Sequence, residues 1–227
     1  MDFNPKIILI QAPVIFFALT VHEFCHAWVA SMLGDDTARM QGRLTLNPIA
    51  HLDVLGTILM FIVGFGWAKP VPVNALNFKD PRRGMLLVAI AGPISNLVMA
   101  IAAGVALRFV IPAVAGTNFS STMSDIVSVT VVMIILTLIY GLALAIFNMI
   151  PIAPLDGSRV VYGLLPLSYA DAYSRIEPYG MIILFGMFLF VGEVFTYVLW
   201  YPVSICSEFL SGYNYLQLSY FWRSLVS

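Results

Sequence analysis

Between Ile7 and Leu33 the chain runs for 27 residues with few polar groups apart from one tight cluster, His22-Glu23-x-x-His26. As a helix this run measures about 40 Å, enough to cross a hydrocarbon core of roughly 30 Å with some tilt. A run of this kind fixes the solvent before it fixes the fold. In lipid every backbone amide and carbonyl must be satisfied within the chain, so membrane-crossing segments of this type are helices. Ionisable groups are costly there and call for a functional reason. Histidines four residues apart lie about 40° apart around a helix, so both imidazoles reach one metal ion. Glu23 can then take a proton from a water activated at that metal. This is the residue pattern of zinc-dependent hydrolysis, with the glutamate as general base and not as ligand. Gly34-Asp35-Asp36 ends the run, which puts His26 roughly 13 Å below that interface by helical rise.

The rest of the chain follows the same solvent. Only 10% of its 227 residues are charged and 60% are hydrophobic, with a mean hydropathy of +0.93; soluble domains carry about 25% charged residues. Three further runs, Gly84–Ile111, Ile126–Ile150 and Tyr179–Tyr201, are long enough to cross. The expected fold is therefore an all-α polytopic membrane protein with about four full transmembrane helices. A net charge of −1 without a Lys/Arg cluster argues against a nucleic-acid partner, and two cysteines make no disulfide framework. Met1–Lys6 has no basic signal-peptide start, so the first run reads as a retained span. Residues 1–227 read as a single membrane domain, with a metal-site core over about 7–160, a C-terminal span and tail over 161–227, and no appended PDZ or nucleotide-sensing CBS module.

The connection between the first two spans reads as a re-entrant, β-hairpin-like insertion. Leu44-Thr45-Leu46 followed by Asn47-Pro48 has the pattern of a short strand and turn. Val54–Trp67 is apolar but only 14 residues long, short for a full crossing. Lys69–Asn74 carries prolines at alternate positions, Pro70 and Pro72, which suits an extended edge. Loops on the Asp35 side hold Arg39, Arg43, Lys69, Lys79, Arg82, Arg83, Arg159 and Arg175, against Lys6, Arg108 and Arg223 on the other. That bias places the Asp35 side, and with it the histidine motif, toward the cytoplasm of a cell membrane. On this count Val54–Trp67 must re-enter.

A catalytic zinc takes three protein ligands and leaves one position open. The third candidates are Asp53, Asp156, the one remaining histidine His51, and more remotely Glu193 inside the fourth span. Asp156 has the best case, because it follows a span stopped by Pro151 and Pro154 and is succeeded by Gly157, which permits a tight turn. Spacing alone leaves His51-x-Asp53 open.

Three blocks together resemble the site-2 proteases, which cleave the transmembrane helices of other proteins. They are His22-Glu23-x-x-His26, then Gly42-Arg43-Leu44-Thr45-Leu46-Asn47-Pro48 with His51-x-Asp53, and Asn148-x-x-Pro151-x-x-Pro154-Leu155-Asp156-Gly157. The second is typical of the compact prokaryotic branch. In the third, Met149-Ile150 separates Asn148 from the first proline, where many members have Asn-Pro directly. The resemblance implies one zinc per chain held by His22, His26 and Asp156, with Glu23 as general base and Asn148 holding substrate or the oxyanion. It also implies single-span membrane proteins as substrates in the lipid bilayer, and aligns Gly92 and Asn96 with a conserved helix between the metal blocks. A substrate helix must unwind before cleavage, and its freed backbone needs partners; Arg43–Leu46 and Lys69–Asn74 are the extended segments that can offer them. A membrane zinc-binding or transport protein and a proteolytically inactive scaffold are the competing classes.

Overall fold

The computed structural model describes residues 5–63, 66–115, 117 and 120–226. Its helices are α1 (Pro5–Met32), α2 (Thr37–Met40), α3 (Val54–Val63), α4 (Pro81–Val114), α5 (Ser121–Asn148), α6 (Asp156–Leu164), α7 (Leu167–Ser174), α8 (Gly180–Phe190), α9 (Gly192–Ser211) and α10 (Tyr215–Val226). Three of them, α1, α4 and α5, are long and apolar enough to cross a membrane, and the count is four if the bent pair Leu167–Phe190 and Gly192–Ser211 is taken as one span. Along these helices large apolar side chains such as Phe17, Ile101, Phe109 and Ile126 are exposed. In water so much exposed apolar surface marks an interaction face; here it is the face that lipid covers.

Two expectations fail. No strand ladder forms among the described residues. Leu44–Leu46 is not a strand, and the one β contact is an isolated antiparallel bridge between Leu52 and Ala68. The fourth span is not one helix either. Val191 leaves helical geometry at φ −129° and ψ 30° and divides α8 from α9, so a run continuous in hydropathy is broken in backbone. The second span is longer than expected at both ends. Asp80 Oδ1 accepts the amides of Arg82 (3.1 Å) and Arg83 (3.0 Å), and Pro81 opens the helix. This is an N-cap followed by proline at the first helical position.

The chain divides into two compact units. One comprises residues 1–18, 96–146 and 193–227. Its core is Ala100, Leu107, Ile135, Leu138, Leu142, Val203 and Leu218. Within it, Gly104 lets the Leu210 stretch come close, for an added Cβ would lie 2.6 Å from the Leu210 Cβ. Arg108 donates to the carbonyls of Leu210 (2.7 Å) and Phe209 near the end of α9, satisfying acceptors that a helix C-terminus leaves open.

The other unit, residues 19–95 and 147–192, holds every residue of the histidine motif and Asp156. Here the connection between α1 and α4 is organised by side chains. Asp35 is fully buried and accepts from the Thr37 amide (3.2 Å) and hydroxyl, the Asn74 amide (2.8 Å) and Asn77 Nδ2 (2.6 Å). Arg43 donates from Nη2 to the carbonyls of Lys69 (2.7 Å) and Pro70 (3.4 Å). The Lys69 amide reaches the His51 carbonyl at 2.8 Å, next to the Leu52–Ala68 bridge. The ten residues of α3 rise only about 15 Å, and the chain on either side of them meets at that bridge. Residues 64 and 65 of the predicted Val54–Trp67 segment lie outside the described ones. Val73 and Ala75 then pack onto the core of Ala30, Phe78 and Val88, so the extended segment 69–74, ended by a 3-10 turn at Ala75–Asn77, is held to α1 and α4.

Burial opposes the charge on Asp35, but its hydrogen bonds from Thr37, Asn74 and Asn77 outweigh that and hold the carboxyl below its ordinary value. A lowered folded pKa means stability that is full above the unfolded value of about 4 and is lost as pH falls through the folded one. Asp35→Ala, which orphans several donors at once, is expected to cost about 2–3 kcal/mol near neutral pH. Thermal unfolding in detergent should show the gap between wild type and variant narrowing below about pH 4.

Candidate metal centre and active site

The histidine motif occupies the second and third turns from the end of α1, where His22, Glu23 and His26 are all buried. His26 Nδ1 lies 2.7 Å from the Val88 carbonyl. A carbonyl only accepts, so the proton belongs on Nδ1 and Nε2 is left with its lone pair turned inward. The two imidazoles stand nearly perpendicular, at 85°. That lets their Nε2 atoms approach to 3.0 Å.

The third group comes from the far end of the sequence. After α5 the chain passes through Pro151 and a cis Ala153–Pro154 peptide, Leu155 caps in extended geometry, and Asp156 is the first residue of α6. Its Oδ2 lies 3.1 Å from His22 Nε2 and 3.2 Å from His26 Nε2. The same buried oxygen accepts no hydrogen bond. Gly157 is required here for close approach, not for a turn. An added Cβ would come within 2.5 Å of the Ile150 oxygen and the Met149 carbonyl carbon, and the residue itself is helical.

Two imidazole nitrogens and one carboxylate oxygen thus face one another at 3.0–3.2 Å inside the protein. Such an arrangement suits a cation between them, which would give these buried atoms a common partner. Atoms bound about 2.0–2.1 Å from a tetrahedral zinc lie roughly 3.3 Å apart, so the triangle is the right size for one. Among the described residues, His22, His26 and Asp156 form the one such group with ligand spacing.

The other candidates are placed elsewhere. Asp53 Oδ1 accepts the Gly56 amide at 2.8 Å and caps α3. His51 Nε2 donates to the Thr45 carbonyl at 2.8 Å and ties that loop together. Glu193 is exposed in the first turn of α9. Asn148 closes α5, half-buried, eight residues before Asp156. Asn96 is fully buried on α4.

Two features escaped the sequence. Glu23 is not loose beside the cluster: its Oε2 accepts the Val71 amide at 2.9 Å. Gly92 of α4 lies directly against both imidazoles. An added Cβ would stand 2.6 Å from His22 Nε2 and closer still to His26 Nε2. The resemblance had aligned Gly92 with the family's helix between the metal blocks, but a glycine within an apolar span reads equally well as helix packing, and its contact with the imidazoles was not legible.

The family model for peptidase family M50 matches residues 11–191, a stretch that takes in α1, the insertion and the Asp156 block. The chain belongs to peptidase family M50, the site-2 protease family. This M50 chain is 43% identical over 186 residues to "Putative zinc metalloprotease YwhC" of Bacillus subtilis, covering 81% of this chain and 80% of that protein. It is 27% identical over 183 residues to "Putative zinc metalloprotease Rip2" of Mycobacterium tuberculosis, covering 76% of this chain and 63% of that one. No solved structure matches it.

Because any side chain at position 92 meets the two imidazoles, Gly92→Ala in this M50 peptidase is expected to weaken metal affinity by about 10- to 100-fold. Competition for zinc against a chelator of known affinity measures it, beside Gly104→Ala, whose glycine packs against Leu210.

Proposed function

We propose that the protein is an intramembrane zinc metalloprotease that hydrolyses peptide bonds within or near the transmembrane segments of single-span membrane proteins. The observation that carries this is the convergence of His22, His26 and Asp156 to 3.0–3.2 Å, with buried Glu23 next to His22 on a helix of membrane-crossing length. One zinc per chain is held by those three residues. Bound there, zinc supplies a Lewis acid that acidifies water and polarises a peptide carbonyl. Glu23 takes the proton from the attacking water and delivers it to the leaving nitrogen. Asn148, by family resemblance, donates to the developing oxyanion.

The insertion between α1 and α4 is re-entrant in this reading. It is supported by the shortness of α3, by the bridge that joins Leu52 to Ala68, and by the basic residues on that side. The same asymmetry supports an active site toward the cytoplasmic face of the cell membrane, in a single domain of multiple spans. For strand addition to an unwound substrate, Lys69–Asn74 has limited capacity. Its prolines lack amides, and those of Lys69, Val71 and Asn74 are already engaged. A transport path would be expected to carry liganding groups at several depths, and the described residues hold a single such group.

Purified protein in detergent, incubated with a panel of single-span substrates and assayed for zinc, tests the reading. Wild type and Glu23→Gln should each carry close to one zinc, with cleavage at least about 100-fold slower in the variant. Wild type without zinc, or equal cleavage by both, would refute it.

A further inference from the structure

We infer that the extended segment 69–74 is part of the catalytic apparatus, with the backbone N–H of Val71 as the group that positions Glu23; this rests on Glu23 being the general base. The contact is one hydrogen bond, Val71 N–H to Glu23 Oε2 at 2.9 Å, made to a charged acceptor and so about twice as strong as a neutral one. A carboxylate has two oxygens. Fixing Oε2 orients the plane of the group and leaves Oε1 to move the proton. Without such a hold, a glutamate side chain on a helix samples several rotamers, and misplacement by an ångström is enough to slow proton transfer.

The sequence around Val71 makes that amide singular. Pro70 and Pro72 flank it, and neither has an N–H, so the three residues offer one donor between them. Proline at 72 also keeps Val71 out of helical geometry. The segment is clamped on both sides of the amide. Arg43 donates to the carbonyls of Lys69 and Pro70, and the Lys69 amide is bound to His51. Asp35 accepts the Asn74 amide at 2.8 Å. Arg43 is itself buried, and among the described residues it forms no ion pair. Its charge is committed to holding these carbonyls. Arg43 and Asp35 are therefore positioning residues once removed. They fix the segment, the segment fixes the amide, and the amide fixes Glu23.

Two measurements test this. Hydrogen–deuterium exchange by mass spectrometry reads the contact itself, because a peptide spanning Pro70–Pro72 carries one exchangeable amide across those residues. In zinc-loaded wild type the Val71 amide should exchange at least about tenfold more slowly than in Glu23→Ala, which removes its acceptor. The kinetic test compares Val71→Pro, which deletes the N–H and sets the ring Cδ in its place, with Val71→Ala, which keeps the N–H. Loss of a hydrogen bond to a charged group should make kcat of the proline variant roughly 10- to 100-fold lower than that of the alanine variant, at equal zinc content and similar KM. Should the proline variant fail to fold, the exchange comparison still decides. Equal exchange in wild type and Glu23→Ala, equal kcat in the two Val71 variants, or a loss confined to KM would overturn the inference while leaving an active wild type a zinc protease. A zinc-loaded wild type that cleaves nothing overturns the general-base reading, and this inference with it.

Discussion

Backbone polar groups at membrane depth have no water to turn to, and the whole architecture answers to that requirement. Where the chain is regular it answers with α1, α4 and α5, which close their own hydrogen bonds. Between α1 and α4 the chain is irregular, and there side chains take over. Asp35 collects four donors, and Arg43 covers two carbonyls. His51 contributes through both its ring and its carbonyl. Polar residues that look like spare chemistry in the sequence are mostly committed to the backbone.

This explains which parts of the site could be read from residues alone. His22 and His26 were legible because four-residue spacing on a helix fixes their relation without tertiary information. Among Asp53, Asp156, His51 and Glu193 the prolines before Asp156 and the family resemblance favoured Asp156, but spacing alone did not exclude His51 and Asp53. The choice depends on what each side chain touches after folding. Asp53 is spent on the Gly56 amide and His51 on the Thr45 carbonyl, while Asp156 faces two imidazoles. The strand expected at Leu44–Leu46 failed for a related reason: alternation of side chains predicts a partner strand only if the fold supplies one, and here a loop does. Hydropathy joined Tyr179–Tyr201 into one span because it is blind to the backbone turn at Val191. The early start of α4, by contrast, was written in Asp80-Pro81, a cap signal hidden in a stretch that reads as a polar connector.

The same logic places function beside structure in the insertion. The Asn74 and Lys69 ends are bound for stability, and the amide between them meets Glu23. A substitution at Arg43 would thus be felt at Glu23 although the two side chains share no contact here. Gly92 contributes by having nothing to contribute: with no side chain it lets α4 come up against the Nε2 edges of both imidazoles. Close packing of this kind is what holds a reactive group within the fraction of an ångström that proton transfer demands.

The cluster has one more property, which lies in its sequence separation. His26 and Asp156 are 130 positions apart, one in the body of α1 and one opening α6, and they meet at 3.2 Å. An ion seated among them would tie these two stretches together as a cross-link ties a long loop, and its binding energy would count as folding energy as well. Loss of metal in such a protein is then a mechanical event as much as a chemical one. Without the ion the two stretches would lose their common anchor.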